Sequence, residues 1–256
     1  MSMIYRCMTA VWMLAIAAGC VTTERRAEMG AAALLNGLEA ERVSCGKAKD
    51  YARQLQAWGR GHEPGNLDRV MKLLGRDALC EDARIELAGV MRRADDRSRR
   101  DALVDVLSRV DVKQDELADE LALVIVSFCG SREEAFAFIA AHIGSRHIAV
   151  RYGCVDLLYE YFKPTMAPEY SDRIIAMLTG LLGSESDAAV AELACQALAE
   201  VGLSTEGETR RSVKRTLQDI SNDTTRIYTS ISLRSEVPRK KAVDVLAMAA
   251  RYDSMM

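Results

Sequence analysis

The side chains best suited to nucleophilic or metal chemistry are few and poorly placed for it. Past an apolar N-terminal run stand Cys20, Cys45, Cys80, Cys129, Cys154 and Cys195, with three histidines, His62, His142 and His147. No two cysteines have CxxC spacing, which argues against a redox dithiol or a zinc site. His142 and His147 straddle a turn at Gly144, and no third histidine or carboxylate-rich loop joins them, so they read as solvated turn residues. His62-Glu63 lacks the rest of a helical zinc motif. There is no GxSxG, P-loop or GxGxxG stretch, and no histidine has a setting that suits a catalytic triad. The expectation is a protein with no catalytic residues, no metal and no cofactor.

Charged and aromatic side chains are the remaining candidates, as binding groups rather than catalytic ones. Basic clusters occur at Arg92–Arg100, at Arg210–Arg215 and at Arg239–Lys241, but Asp95, Asp96 and Asp101 interleave the first. They read as solvated helix ends with local ion pairs. The formal net charge of -3 argues neither for bulk nucleic-acid binding nor for an acidic tail. All four Phe and four of the eight Tyr lie between Phe128 and Tyr170. Phe136, Tyr161 and Phe162 fall on core stripes. Phe138, Tyr152, Tyr159 and Tyr170 fall off them. Two readings stay open for this second group: exposed anchors for a partner, or fillers of a wider gap around Lys163-Pro164-Thr165.

The N-terminus is a separate object. Arg6 is followed by an apolar run from Cys7 to Ala18, about a dozen residues, too short for a membrane span of roughly twenty. It ends Ala17-Ala18-Gly19-Cys20, small residues directly before a cysteine, as a secretory signal does. This end resembles the lipobox of bacterial lipoproteins, with Ala17 where that pattern prefers leucine. The resemblance implies cleavage before Cys20, a diacylglycerol and acyl chains on Cys20, and residence on a membrane. Val21 in place of Asp leans toward the outer membrane, facing the periplasm. Export also opens the question of disulfides. Cys129 and Cys154 sit eleven and four residues past their helix anchors, a height difference of about 10 Å at 1.5 Å per residue, beyond disulfide reach. Cys45 and Cys80 lie near second-helix starts in neighbouring repeats and stay open as a pair.

The remaining chain is organised to position helices. The stretch from Gly180 to Gly202 reads as a helix end, a turn over Gly183–Asp187, and a second helix. Gly183 is expected to stop the first helix, and Ser186 or Asp187 to cap the second. Val190, Leu193, Ala194, Ala197, Leu198 and Val201 form one helical stripe. Similar stripes are anchored at Ala48, Ala83, Ala118 and Val150. Their spacings of 35, 35, 32 and 40 residues fall in the range of two-helix solenoid repeats. A helix is expected over 24–41 and another over 46–59, before a break at Gly61–Gly65. Beyond 206 the period fails: a helix over 206–221, a β-branched stretch over 224–236, and a last helix opened by Pro238. An atypical terminal repeat is expected of a cap.

Asp187, Val190, Ala194, Leu198 and, one repeat earlier, Val150, Arg151, Cys154, Leu158 resemble the second-helix pattern of HEAT-like repeats. The match is clear over about 130–202 and weaker over 66–129, where Ala83-Arg84 and Ala118 stand in for Val-Arg. The resemblance implies an all-α, α-α superhelix of about five or six helical hairpins, with a concave face lined by second helices that binds another protein. The expected division is a signal peptide over 1–19, a lipidated N-terminus and tether over 20–23, a solenoid over 24–205 and capping helices over 206–256. The candidate partner-binding residues are Arg151, Tyr152, Tyr159, Tyr170 and Glu192, and the lipidation site is Cys20. HEAT-like folds also include lyases and DNA-alkylation glycosylases. Both would require a cytosolic chain, and the glycosylases Trp-lined basic grooves. Trp58 is the one Trp outside the signal. A passive spacer is the other alternative.

Overall fold

The computed structural model describes residues 30–40, 42–57, 64–94, 96–111, 113–163, 167–203, 205, 207–223 and 238–253. The signal segment, Cys20, the tether, Trp58, His62 and the stretch 224–236 lie outside them. The regular elements among the described residues are helices, in keeping with the all-α expectation. They group into two compact units, Met1–Asp95 and Asp96–Met256.

The first unit holds α1 over 30–39, α2 (Cys45–Ala57), α3 (Pro64–Leu74) and α4 (Glu81–Ala94). Pro64 opens α3, where its missing N–H costs nothing. Helices α2 and α4 pack along their length, with Ala48, Ala52, Leu55, Leu87, Ala88 and Met91 buried. The small residues allow close approach, and two ion pairs one turn apart hold the register: Lys49 with Asp82 at 2.6 Å and Arg53 with Glu86 at 3.2 Å. Being exposed, these set alignment more than stability. Arg69 on α3 reaches Glu39 at 2.7 Å and holds that carboxyl below its ordinary range. The open cysteine pair is closed: Cys45 and Cys80 form a disulfide, Cα–Cα 5.6 Å, tying the start of α2 to the residue before α4.

The second unit contains three hairpins, α5 (Arg100–Leu107) with α6 (Asp115–Ser127), α7 (Arg132–His142) with α8 (Ile148–Glu160), and α9 (Ser171–Ser184) with α10 (Ala188–Leu203). The second helices α6, α8 and α10 lie side by side. Small residues let them approach: a Cβ on Gly153 would stand 2.9 Å from that of Ala122, so the backbone of α8 rests directly on α6. α11 (Gly207–Asn222) packs on α9 and α10, and α12 (Pro238–Asp253) on α10 and α11. Both break the hairpin period, at the place where the sequence departs from it.

Local details depart from expectation in physically clear ways. Helix α9 runs through Gly183 to Ser184, and the extended Glu185 ends it, its N–H bonded to Leu181 O. Of the two residues expected to cap α10, Asp187 does so, its Oδ1 accepting from the N–H groups of Ala189 and Val190 at 3.0 and 3.1 Å. Tyr161, expected in the core, is 36% exposed, and of the two readings open for Tyr170 the structure has the gap filler, its side chain being buried. Tyr170 joins Phe136 and Phe162, with ring centroids 4.9–5.3 Å apart, and the cluster fills the wide gap beside the chain that links α8 to α9.

The disulfide closes a loop of 35 residues. Replacing Cys45 with serine should lower the stability of the first unit by about 2–4 kcal/mol, read as an earlier urea midpoint for that unit. Adding a reductant to the wild-type chain should reproduce the shift.

Candidate functional site

Position 151 follows the Val150 anchor, which the core holds fixed, so the arginine leaves the buried stripe at its edge. There its guanidinium is committed. Nε and Nη2 donate to the two carboxylate oxygens of Glu185 at 2.7 and 2.8 Å, and Nη1 donates to Ser145 O at 2.8 Å. Glu185 is 4% exposed. Its Oε1 also accepts from the backbone N–H groups of Ser186 and Asp187. Arg84, after the Ala83 anchor, behaves alike: it is buried, and its Nε donates to Leu74 O at the end of α3. The basic residue after the anchor thus stitches a second helix to a hairpin turn. Arg151, expected to meet a partner, is consumed by the fold.

Just outside the apolar stripe, each second helix of the second unit carries a polar row with a helical repeat of four: Asp115 and Asp119 on α6, Tyr152, Asp156 and Glu160 on α8, Glu192, Gln196 and Glu200 on α10. The rows adjoin. Asp119 is raised to about 8, first by burial and then by Asp156, Asp115, Glu116 and Glu160. Its Oδ1 is shut off from solvent with no hydrogen-bond partner. Asp156 is pushed up to about 6 by burial and Glu160, with Lys163 opposing. The Tyr152 phenol is raised by burial and by the carboxylates of Asp119, Asp115, Asp156 and Glu192. Gln196 Nε2 donates to Tyr159 Oη at 2.9 Å, linking α10 to α8. Lys163 pairs with Glu160 at 2.9 Å and lies 5.3 Å from the Tyr159 ring.

The structure therefore brings together Tyr152, Tyr159 and Glu192 of the expected set. It places Tyr170 in the core and Arg151 in an internal clamp. Asp119, Asp156, Glu160, Gln196 and Glu200 complete the face and were missed. Their signal was present in the sequence, as polar residues four apart beside each stripe, but periodicity alone ranks such rows as ordinary solvated surface.

The other reactive side chains have structural surroundings. Burial pushes the thiols of Cys154 and Cys195 up to about 12, so they act as small apolar fillers. His142 stacks on Phe138 and its Nδ1 meets Phe138 O at 2.8 Å. Arg146 Nε donates to His147 Nε2. Among the described residues no group of three His, Cys, Asp or Glu side chains is arranged to hold a metal ion. Comparison with protein-family models, curated proteins and solved structures finds no match.

Two variants separate the clamp from the face. Arg151→Ala leaves Glu185 buried without its partner and should cost about 3–5 kcal/mol, while Arg151→Met combined with Glu185→Leu should recover much of that loss in a denaturant titration. For Asp119, the folded chain keeps a proton that the unfolded chain loses between the ordinary carboxylate value of 3.8 and about 8, so this group makes stability fall as pH rises through that window. Asp119→Asn should accordingly stabilise by about 1–3 kcal/mol at pH 8 and by little at pH 4, measured by melts at the two pH values.

Proposed function

We propose that this chain is an exported helical-repeat scaffold, held on a membrane by lipid on Cys20, that offers the face over α6, α8 and α10 to another protein. The observation that carries the reading is the make-up of that face. Three adjoining second helices turn their apolar stripes inward and present tyrosines, an amide and carboxylates in aligned rows. Tyrosine gives contact area at low conformational cost, which suits an anchor for a protein partner. The Cys45–Cys80 disulfide supports the address, because such bonds persist in oxidising compartments. No described helix is long and apolar enough to cross a membrane, and the lipid on Cys20 is the proposed attachment. Val21 after the cysteine favours the outer membrane, with the repeats in the periplasm.

The test is site-directed photo-crosslinking in intact cells from residues substituted at Tyr152 and Tyr159. One discrete protein adduct, lost when the crosslinker is moved to the far side of α9, supports the scaffold. Absence of any adduct, together with full tolerance of substitutions on the face, favours a passive spacer. The address has its own readout. The intact mass of the membrane-extracted protein should begin at Cys20 and carry diacylglycerol and acyl chains, and Cys20→Ser should move the protein out of the membrane fraction. An unmodified full-length mass overturns the anchored reading.

A further inference from the structure

The face over α6, α8 and α10 has a chemical character that narrows its partner. Asp119 and Asp156 sit half-buried, with Asp156 close enough to help raise Asp119, and Glu160 and Glu200 lie at the exposed end. An apolar segment laid here would strip these carboxylates of water and return nothing. An acidic segment would meet like charge. A guanidinium offers paired donors to each carboxylate, and its plane can lie on a tyrosine ring. Tyr152 and Tyr159 flank Asp156 on the same helix, and the face already holds one cation of its own, Lys163, 5.3 Å from the Tyr159 ring and paired with Glu160.

Spacing selects the shape of the segment. Packed helices lie about 8–10 Å apart, and an extended chain advances about 3.3 Å per residue. A strand-like segment crossing the helices therefore meets a new one every third residue. We propose that this face docks an extended segment of a partner protein bearing a cationic side chain at about every third position. Asp119 on α6, Asp156 on α8 and Glu200 on α10 receive the cations. This rests on the scaffold reading and gives its partner a chemistry.

The groups facing Asp119 give the docking a pH signature. They are Asp115 and Glu116 from its own helix and Tyr152, Asp156 and Glu160 from α8, with Glu192 of α10 bearing on Tyr152. Almost all are acidic, so an arriving cation relieves repulsion and releases the proton held on Asp119. Binding should tighten as pH rises from 6 to 8.5, a range over which arginine does not titrate.

The experiment uses the mature chain and a fluorescent ten-residue peptide with arginine at every third position among glycine and serine. The comparison peptide has glutamate at those positions. The arginine peptide should bind and the glutamate peptide should not. Asp119→Asn, Asp156→Asn and Glu200→Gln combined should weaken binding roughly tenfold or more. Neutralising three distant exposed carboxylates, with Asp101→Asn, Asp172→Asn and Glu208→Gln, should change it less than about twofold. The near-isosteric substitutions relieve like-charge repulsion, and a melt verifies folding. A photoreactive group at the peptide's centre should label α8, which gives a readout independent of the variants. Equal loss from both triple variants, or labelling away from α6, α8 and α10, overturns the proposal. No binding of the arginine peptide, while the cellular crosslinks from Tyr152 and Tyr159 persist, overturns the cationic segment but leaves the scaffold standing. Loss of both removes the scaffold as well.

Discussion

One ion pair ties three segments of the second unit together, its carboxylate buried and its guanidinium largely so. Arg151 and Glu185 would each be costly to bury alone, and their mutual attraction repays the cost only if every remaining lone pair and N–H is also satisfied. Here they are well provided: two parallel bonds join the side chains, Ser145 O takes a further guanidinium donor, and two backbone N–H groups of the next turn fall on the carboxylate. One pair thereby binds the α7–α8 turn, the body of α8 and the α9–α10 turn. It also explains why Gly183 does not end α9. Glu185 must leave the helix in extended conformation to reach Arg151, so the helix ends where the pair requires, one residue past the glycine.

The same clamp sets the geometry of the candidate face. Once α8 and α10 are locked at their starts and the small residues Gly153 and Ala122 let α8 settle on α6, the polar rows beside the stripes have no freedom to diverge. Asp156, which would be remote from Asp119 on an isolated helix, becomes its neighbour and adds to burial in holding a proton on it. Burying Asp119 among these carboxylates costs stability rather than adding to it.

Much of the fold was legible because it rests on local periodicity. The stripes anchored at Ala83, Ala118, Val150 and Val190 all became buried faces of second helices, and α12 opens at Pro238 as the sequence suggested. Misreadings came where the partner is distant in the chain. Tyr170 lies off every stripe by spacing, yet Phe136 and Phe162 draw it into the core. Tyr161 lies on a stripe, yet the helix ends at Glu160 and turns it outward. Arg151 was assigned to a partner because nothing near it in sequence announces Glu185, 34 residues on.

By itself the sequence determined the all-α class, the hairpin repeat and the exhaustion of that repeat after 205, because hydrophobic spacing and helix signals act within a few turns of chain. Only tertiary structure decided which cysteines pair, which arginine is spent internally and which carboxylates share a face. Those outcomes depend on contacts between helices tens of residues apart, where burial and like-charge proximity, not local propensity, set the energy of each side chain.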